Sequence, residues 1–412
     1  MDKIVVQNLY KVFGPDPQKA IHLLEQGLEK DEVLEKTNMT VGVNNAEFAI
    51  QEGEIFVIMG LSGSGKSTMV RMINRLIEPS SGSVIINDKD IIQMSQDDLV
   101  QFRLKHMSMV FQSFALMPHL TVLENAAFGL ELAGEPLKKR RERAMETLRQ
   151  VGLEGWEDQL PKQLSGGMQQ RVGLARGLAV DPDIMLMDEA FSALDPLIRT
   201  EMQDELLKLQ ENNQRTIVFI SHDLDEALRI GDRIAIMEGG KVVQVGTPEE
   251  ILQNPADDYV RAFFRGVDPT NVICAGDIAM NSYPTIIKTK KGGIRGTLEL
   301  LNSRDYQYGY VLNSDHQFLG AVSIDTLRQA VEEGRTGEPI DICYLPGVKP
   351  VSIEENMQDI LAEVAEQPWP VPVTNGNDRY MGVVSKNRFL KTLHKSDRNS
   401  NDQSPVVEAS HV

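Results

Sequence analysis

From Lys3 to Val12 apolar and polar positions alternate, the pattern of an edge strand, and the alternation stops at Phe13-Gly14. From about Gln18 to Lys36 the period lengthens, and Ile21, Leu23, Leu24, Leu28, Val33 and Leu34 predict one or two amphipathic helices. Val41 to Ile50 reads as a second strand and Gln51-Glu52-Gly53-Glu54 as a turn. The apolar run Ile55 to Met59 predicts a buried strand, and Met69-Val70-Arg71-Met72-Ile73-Asn74 the start of a helix stopped by Glu78-Pro79-Ser80-Ser81-Gly82. Short strands are expected at Ser83 to Ile86, Met107 to Phe111, Ile184 to Met187 and Thr216 to Ile220. Ile234 to Met237 and Val242 to Gln244 suggest a hairpin around Glu238-Gly239-Gly240-Lys241. Thr121 to Gly152 is mainly helical in pattern, including Leu137 to Val151. Alternating strands and helices predict an α/β core, with a helical subdomain inserted at about residues 112–180.

The composition shifts near Gly266-Val267-Asp268-Pro269-Thr270, which predicts a linker over 267–280. Beyond it lies a weak internal repeat. Val311, Phe318, Gly320, Val322, Ser323 and Leu327 match Val373, Tyr380, Gly382, Val384, Ser385 and Phe389, every pair 62 positions apart. Each unit reads as strand, turn, strand, helix, with turns at Asn313-Ser314-Asp315 and Asn375-Gly376-Asn377, which marks paired supersecondary units over 281–394. The polar tail 395–412 is expected to be disordered.

Composition narrows the function classes. A net charge of −18 argues against a nucleic-acid partner, which leaves a basic footprint. The run Lys138-Lys139-Arg140-Arg141 lies on an expected helix with Glu142 and Glu146 and reads as a solvated face. Two isolated thiols, Cys274 and Cys343, make neither a disulfide framework nor a zinc site and fit a reducing compartment. Met1 to Gln7 lacks the apolar core of a signal peptide, and no run approaches the ~18 apolar residues of a spanning helix.

The chemistry concentrates at Gly60-Leu61-Ser62-Gly63-Ser64-Gly65-Lys66-Ser67-Thr68, between the buried strand and the helix. Its glycines let backbone N–H groups turn inward, and the helix N-terminus adds positive potential, which together cradle phosphate. Lys66 can reach the β- and γ-phosphates, and Ser67 can place its hydroxyl on Mg²⁺. Asp188 and Glu189 follow a four-residue apolar run, so the end of a buried strand carries both carboxylates to the phosphate site. Asp188 is the candidate Mg²⁺ holder and Glu189 the candidate general base. Leu164-Ser165-Gly166-Gly167-Met168-Gln169-Gln170-Arg171 gives a second anion-binding helix start.

With these stretches the chain resembles the ATP-binding subunits of ATP-binding-cassette (ABC) transporters, whose signature LSGGQ appears here as LSGGM followed by Gln169. The resemblance implies a P-loop cassette with ATP and Mg²⁺ as cofactors. It implies that Gln112 is the glutamine touching Mg²⁺ and coupling to a membrane subunit. Ser192-Ala193-Leu194-Asp195 resembles the D-loop, and His222, in Ser221-His222-Asp223, the histidine contacting the γ-phosphate. Phe13 or Tyr10 is implied to stack on adenine. Two copies pair head to tail in this family, so Ser165 and Gly167 would act on ATP held mainly by the opposite chain, and Gly166 and Asp195 are counted with them among the ATP-binding residues. A single motif set implies a homodimer.

Gln112 and Ser165 are too close for the long coiled coil of repair ATPases, one cassette excludes the two-cassette translation factors, and no membrane helices are fused. The insertion from about Pro15 to Lys36 and the repeat, which looks like a tandem cystathionine-β-synthase (CBS) pair, are similar to the ATP-binding subunit of the glycine betaine/proline uptake system. So are Glu54 to Thr68 and Met187 to Asp195. The resemblance implies a cassette over 1–266 and a smaller α+β CBS-like domain, either a regulatory sensor or a structural dimerisation domain. It further implies an integral membrane permease as partner, a solute-binding protein acting indirectly, and a peripheral place on the cytoplasmic face of the plasma membrane. An importer for another amino acid or amine, or a non-transport ABC switch, are the alternatives.

Overall fold

The computed structural model describes residues 1–212, 214–264, 268–288 and 293–401. The described chain divides into two compact units at Phe263/Phe264.

The elements of the first unit are, in order, β1 (Asp2–Phe13), α1 (Pro17–Glu25), α2 (Lys30–Thr37), β2 (Thr40–Gln51), β3 (Ile55–Met59), α3 (Lys66–Ile73), β4 (Ser81–Ile86), β5 (Lys89–Asp90), α4 (Gln96–His106), β6 (Met107–Phe111), α5 (Val122–Leu132), α6 (Leu137–Gln150), α7 (Gly166–Ala179), β7 (Ile184–Asp188), α8 (Pro196–Asn212), β8 (Thr216–Ser221), α9 (Leu224–Ile230), β9 (Arg233–Glu238), β10 (Lys241–Gly246), α10 (Pro248–Gln253) and α11 (Asp258–Phe263). Two sheets form. One runs β10-β9-β3-β8-β7-β6, parallel apart from the β9–β10 hairpin. The other is antiparallel, in the order β2-β1-β4-β5. The edge position expected for the first strand is therefore not what forms. Both rims of β1 are hydrogen-bonded, and its apolar residues Ile4, Val6 and Leu9 are fully buried.

All five residues of β3, of β7 and of the first part of β8 are buried, because helices cover both faces of a parallel sheet. Met69, Val70, Met72 and Ile73 of α3 share one core with Ile4, Val43, Phe48 and Ile50 of one sheet and Phe56, Ile58, Leu186 and Val218 of the other. This fixes the phosphate-loop helix between two sheets. The inserted subdomain is the group α5, α6 and α7, which pack on one another. Thr121 with Glu124 makes a capping box at the start of α5. The basic run of α6 is solvated as expected, with Lys139 on Glu135 and Arg140 on Glu131. The early insertion is two helices whose Ala20, Ile21, Leu24 and Val33 pack on Tyr10, Val12 and Val41. α4 has no counterpart in the expected elements. It turns only Leu99 and Phe102 inward, too few to set a helical period.

The second unit holds α12 (Ala275–Ile278), β11 (Thr285–Ile287), α13 (Ile294–Ser303), β12 (Tyr308–Leu312), β13 (Phe318–Ser323), α14 (Ile324–Glu332), β14 (Val351–Ser352), α15 (Leu361–Glu366), β15 (Val371–Thr374), β16 (Tyr380–Val384) and α16 (Lys386–Asn401). The repeat is visible as two three-stranded sheets, β11-β12-β13 and β14-β15-β16, each opened by a parallel strand and a helix. The two hairpin tips pair with each other. Gln317 bridges Arg379, the Phe318 N–H donates to the Asp378 carbonyl, and the Tyr380 N–H donates to the His316 carbonyl. These bonds exchange under the 62-residue offset, so they lie on a local twofold axis. Tyr310 stacks on Tyr380 beside it, with 5.7 Å between ring centroids.

Part of the expected linker is built into this unit. The Ala275 N–H bonds the Glu355 carbonyl, and Met280 pairs with Val383. Residues 265–267 and 402–412 lie outside the described residues, while 395–401 continue α16. No helix among the described residues is long and apolar enough to cross a membrane.

Candidate functional site

The parallel strands deliver the candidate residues to one edge of the sheet. Gly60 follows β3, Gln112 follows β6, Asp188 ends β7 with Glu189 after it, and His222 follows β8. The register aligns Met59 with Ser221, Ile220 with Asp188, and Asp188 with Phe111. The carboxyl ends of adjacent parallel strands thus form one crevice, the usual ligand position in an open α/β sheet.

The loop from Gly60 to Lys66 depends on glycine at two points. Gly60 has φ +150° and a Cβ there would overlap the Met237 carbonyl oxygen; Gly65 has φ +105° and would overlap the Gly42 carbonyl. No other side chain fits such a close approach of backbone to backbone. Lys66 is buried, and its Nζ donates to the carbonyls of Gly60 at 2.8 Å and Leu61 at 3.1 Å. Burial pulls its pKa below the usual ammonium range, opposed by the charges of Glu189 and Asp188. The Ser64 hydroxyl is buried inside the loop without a hydrogen-bond partner. An orphaned hydroxyl, a buried ammonium and a cradle that a Cβ would fill are the donor set for a polyphosphate.

The Ser67 hydroxyl donates to Asp188 Oδ1 at 2.9 Å, and Arg71, one turn further along α3, reaches Asp188 Oδ2 at 3.4 Å. Sequence reasoning missed Arg71, whose only signal was its place four residues after Ser67 on a helix. One hydroxyl and one carboxylate, with the Gln112 amide one residue past Asp188's register partner, are hard oxygen donors of the kind Mg²⁺ takes together with water. Glu189 stands in a left-handed conformation, φ +48°, and its Oε1 lies 3.8 Å from His222 Nδ1. The backbone turn thus points the second carboxylate away from the strand and toward the histidine.

Phe13 and Tyr10 separate clearly. Tyr10 is buried against α1 and α2, whereas Phe13 is 43% exposed, with Lys11 Nζ 5.0 Å from its ring centroid. Of the two, only Phe13 is exposed, with its ring beside Lys11 and Gly42.

The signature lies apart from this crevice, at the start of α7 in the helical subdomain. The Ser165 side chain caps α7 by accepting from the Met168 N–H, and Ser165 and Gly166 are exposed. A Cβ on Gly167 would press on Ile198 of α8, and one on Gly166 would touch the Phe114 ring. Phe114 and Ala115, two and three residues past Gln112, are both left-handed, and their carbonyls accept from the half-buried Arg176. Asp195 caps α8 by accepting from the Ile198 N–H.

The sequence profile of the ABC transporter family matches residues 43–192. The chain is 56% identical to the glycine betaine/proline betaine transport system ATP-binding protein ProV of Escherichia coli (strain K12), over 97% of this chain and 99% of that one. It is 48% identical to the glycine betaine transport ATP-binding protein OpuAA of Bacillus subtilis (strain 168), over 95% and 92%. It is 50% identical to the trimethylamine N-oxide transport system ATP-binding protein TmoW of Ruegeria pomeroyi, over 67% and 81%. Among solved structures, a dimeric bacterial ABC transporter cassette superposes with TM-score 0.51 at 34% identity, over 59% of this chain and 98% of that chain.

Proposed function

The chain belongs to the ABC transporter family as an ATP-binding subunit, and from that premise we propose that it powers uptake of glycine betaine, proline betaine or proline through a separate membrane subunit. It is an ABC-type ATPase and binds ATP. The observation that carries the mechanistic reading is the meeting of Lys66, Ser67, Asp188, Glu189 and His222 at one strand edge.

Gly60, Ser62, Gly63, Ser64, Gly65 and Thr68 wrap the phosphates, and Lys66 exchanges its two carbonyl partners for β- and γ-phosphate oxygens. Ser67, Asp188 and Gln112 would hold Mg²⁺, which would supply charge neutralisation for the bound phosphates. Glu189 takes a proton from the attacking water, and His222, within reach of Glu189, holds the γ-phosphate end. Phe13 stacks on adenine. Ser165, Gly166, Gly167 and Asp195 act across a head-to-tail homodimer, a reading supported by the exposure of Ser165 and Gly166 on their own chain.

The solute assignment rests on the likeness to the glycine betaine transport proteins across both units. The likeness to the trimethylamine N-oxide system, at 50% identity over two thirds of the chain, keeps another small amine as the second reading. The subunit works peripherally, on the cytoplasmic face, with a solute-binding protein acting through the permease. The repeat is a tandem CBS-like domain and serves as regulator or dimerisation element. Its local twofold, closed by Gln317 and Arg379, supports two equivalent CBS-like halves.

Two measurements test this. Glu189→Gln removes the base but keeps the shape, so it should trap an ATP-bound dimer with turnover reduced at least 100-fold; near-normal turnover would refute the base. Uptake of labelled glycine betaine, in a host without other carriers, should be lost with this chain; unchanged uptake leaves the ATPase and removes the solute.

A further inference from the structure

The two residues flanking His222 are each held by α8, the helix that leaves the D-loop, and this arrangement has no need to exist for ATP binding. Arg199 on the first turn of α8 donates from one terminal nitrogen to Asp223 Oδ2 at 2.9 Å and from the other to the Leu194 carbonyl of the D-loop at 3.3 Å. Its Nε is buried with no hydrogen-bond partner. Asp223 directly follows His222. Its other carboxylate oxygen caps α9 by accepting from the Glu226 N–H, and its own N–H donates to Ser221 Oγ at 2.9 Å.

One turn along the same face of α8, Gln203 donates to Glu226 Oε1 at 3.1 Å, and Glu226 Oε2 accepts from the Ser221 hydroxyl at 2.5 Å. Ser221 directly precedes His222. So α8 grips one side of the histidine through Arg199 and Asp223, and the other through Gln203, Glu226 and Ser221. The His222 ring itself stays 57% exposed, free of that grip.

We propose that Arg199 is a positioning residue that ties His222 to the D-loop Ser192–Asp195, so that the D-loop's position sets where the histidine stands at the γ-phosphate. The proposal rests on the role given to His222 above. The D-loop is itself anchored to the catalytic turn: the Ser192 N–H and hydroxyl both bond the Glu189 carbonyl. A shift of α8 therefore moves Glu189's support and His222's two flanks together. A mere stitch between α8 and α9 would not need a guanidinium whose Nε is left buried and unpaired, which is a costly arrangement. A fork that must span a backbone carbonyl and a carboxylate at fixed angles does need one.

The test is single-turnover ATP hydrolysis by the full chain, with ATP affinity and melting temperature measured on every variant. Arg199→Met and Asp223→Asn, the latter keeping an oxygen to cap α9, are each expected to slow hydrolysis about 10- to 100-fold, with ATP affinity within about twofold. The double variant should be no slower than the slower single one, because both remove the same link. Arg199→Lys should recover part of the rate, and it carries the test if Arg199→Met does not fold. Multiplying losses in the double variant, or a loss confined to ATP affinity, would overturn the coupling. His222→Ala is run alongside. If it is inactive while Arg199→Met is normal, only the coupling falls; if it is itself near normal, the role of the histidine falls and the coupling with it.

Discussion

Two neighbouring glycines of the phosphate loop should respond very differently to one added methyl group. Gly63 and Gly65 both have positive φ, +78° and +105°, so alanine at either carries backbone strain of about 1–2 kcal/mol. At Gly63 a Cβ meets nothing within 4 Å, and strain is the whole cost. At Gly65 the Cβ overlaps the carbonyl oxygen of Gly42 on β2, a backbone atom that cannot swing aside. The loop must then move off β2 by roughly an ångström, and its N–H groups lose their aim at the phosphates. Hydrogen bonds to charged groups contribute about 1.5–3 kcal/mol each, so losing two costs about 3–6 kcal/mol. That is about 10²- to 10⁴-fold in ATP affinity for Gly65→Ala, against about 5- to 30-fold at most for Gly63→Ala. Calorimetric titration of the two full-length variants with ATP, at matched salt, reads the difference directly. Equal losses would show that the close approach to Gly42 does not set the loop's shape, and the reasoning would fail.

The two candidate aromatics give a second contrast: Phe13→Ala should weaken ATP binding about tenfold through lost stacking, while Tyr10→Phe leaves nucleotide affinity unchanged, and a reversed result would place adenine elsewhere. In the second unit, burial pushes the phenols of Tyr310 and Tyr380 well above the usual tyrosine range, and that of Tyr344 to about 12. A phenol that stays protonated only when folded stabilises the fold below the unfolded pKa of ~10 and loses that contribution as pH rises further. The second unit should therefore unfold above pH ~10, with tyrosinate absorbance and circular dichroism changing together; tyrosines that ionise before the fold is lost would contradict this. Tyr310→Phe removes the hydroxyl that donates to the Pro370 carbonyl, and chemical denaturation should show a loss of about 1–3 kcal/mol.

The sequence made the cassette core legible because its strands are short apolar runs at fixed places before chemistry-bearing residues. Ile55–Met59 and Ile184–Asp188 are buried at every position, a signal that survives without any knowledge of neighbours. β1 was misread as an edge because alternation reports which face is buried and says nothing about how many partners lie alongside. The repeat was legible from its 62-residue spacing, but β11 and β14, three and two residues long, carry no pattern of their own. Residues 274–280 read as a linker because their order comes from pairing with Glu355 and Val383, far along the chain. Of the candidate site, Lys66, Ser67, Asp188, Glu189 and His222 were all named from motifs. Arg71 and Arg199 were not, since a charged residue on an amphipathic helix looks solvated until the fold sets a carboxylate opposite it.

The lysine held between the Gly60 and Leu61 carbonyls has a consequence for the selectivity of nucleotide capture. Stripping an ammonium of its water is unfavourable, and here it happens once, when the chain folds. On the function proposed above, an arriving triphosphate would meet an ammonium already stripped of water and would only have to replace two neutral oxygens with charged ones. A neutral or weakly charged ligand cannot make that exchange favourable. On that reading the loop would select for charge.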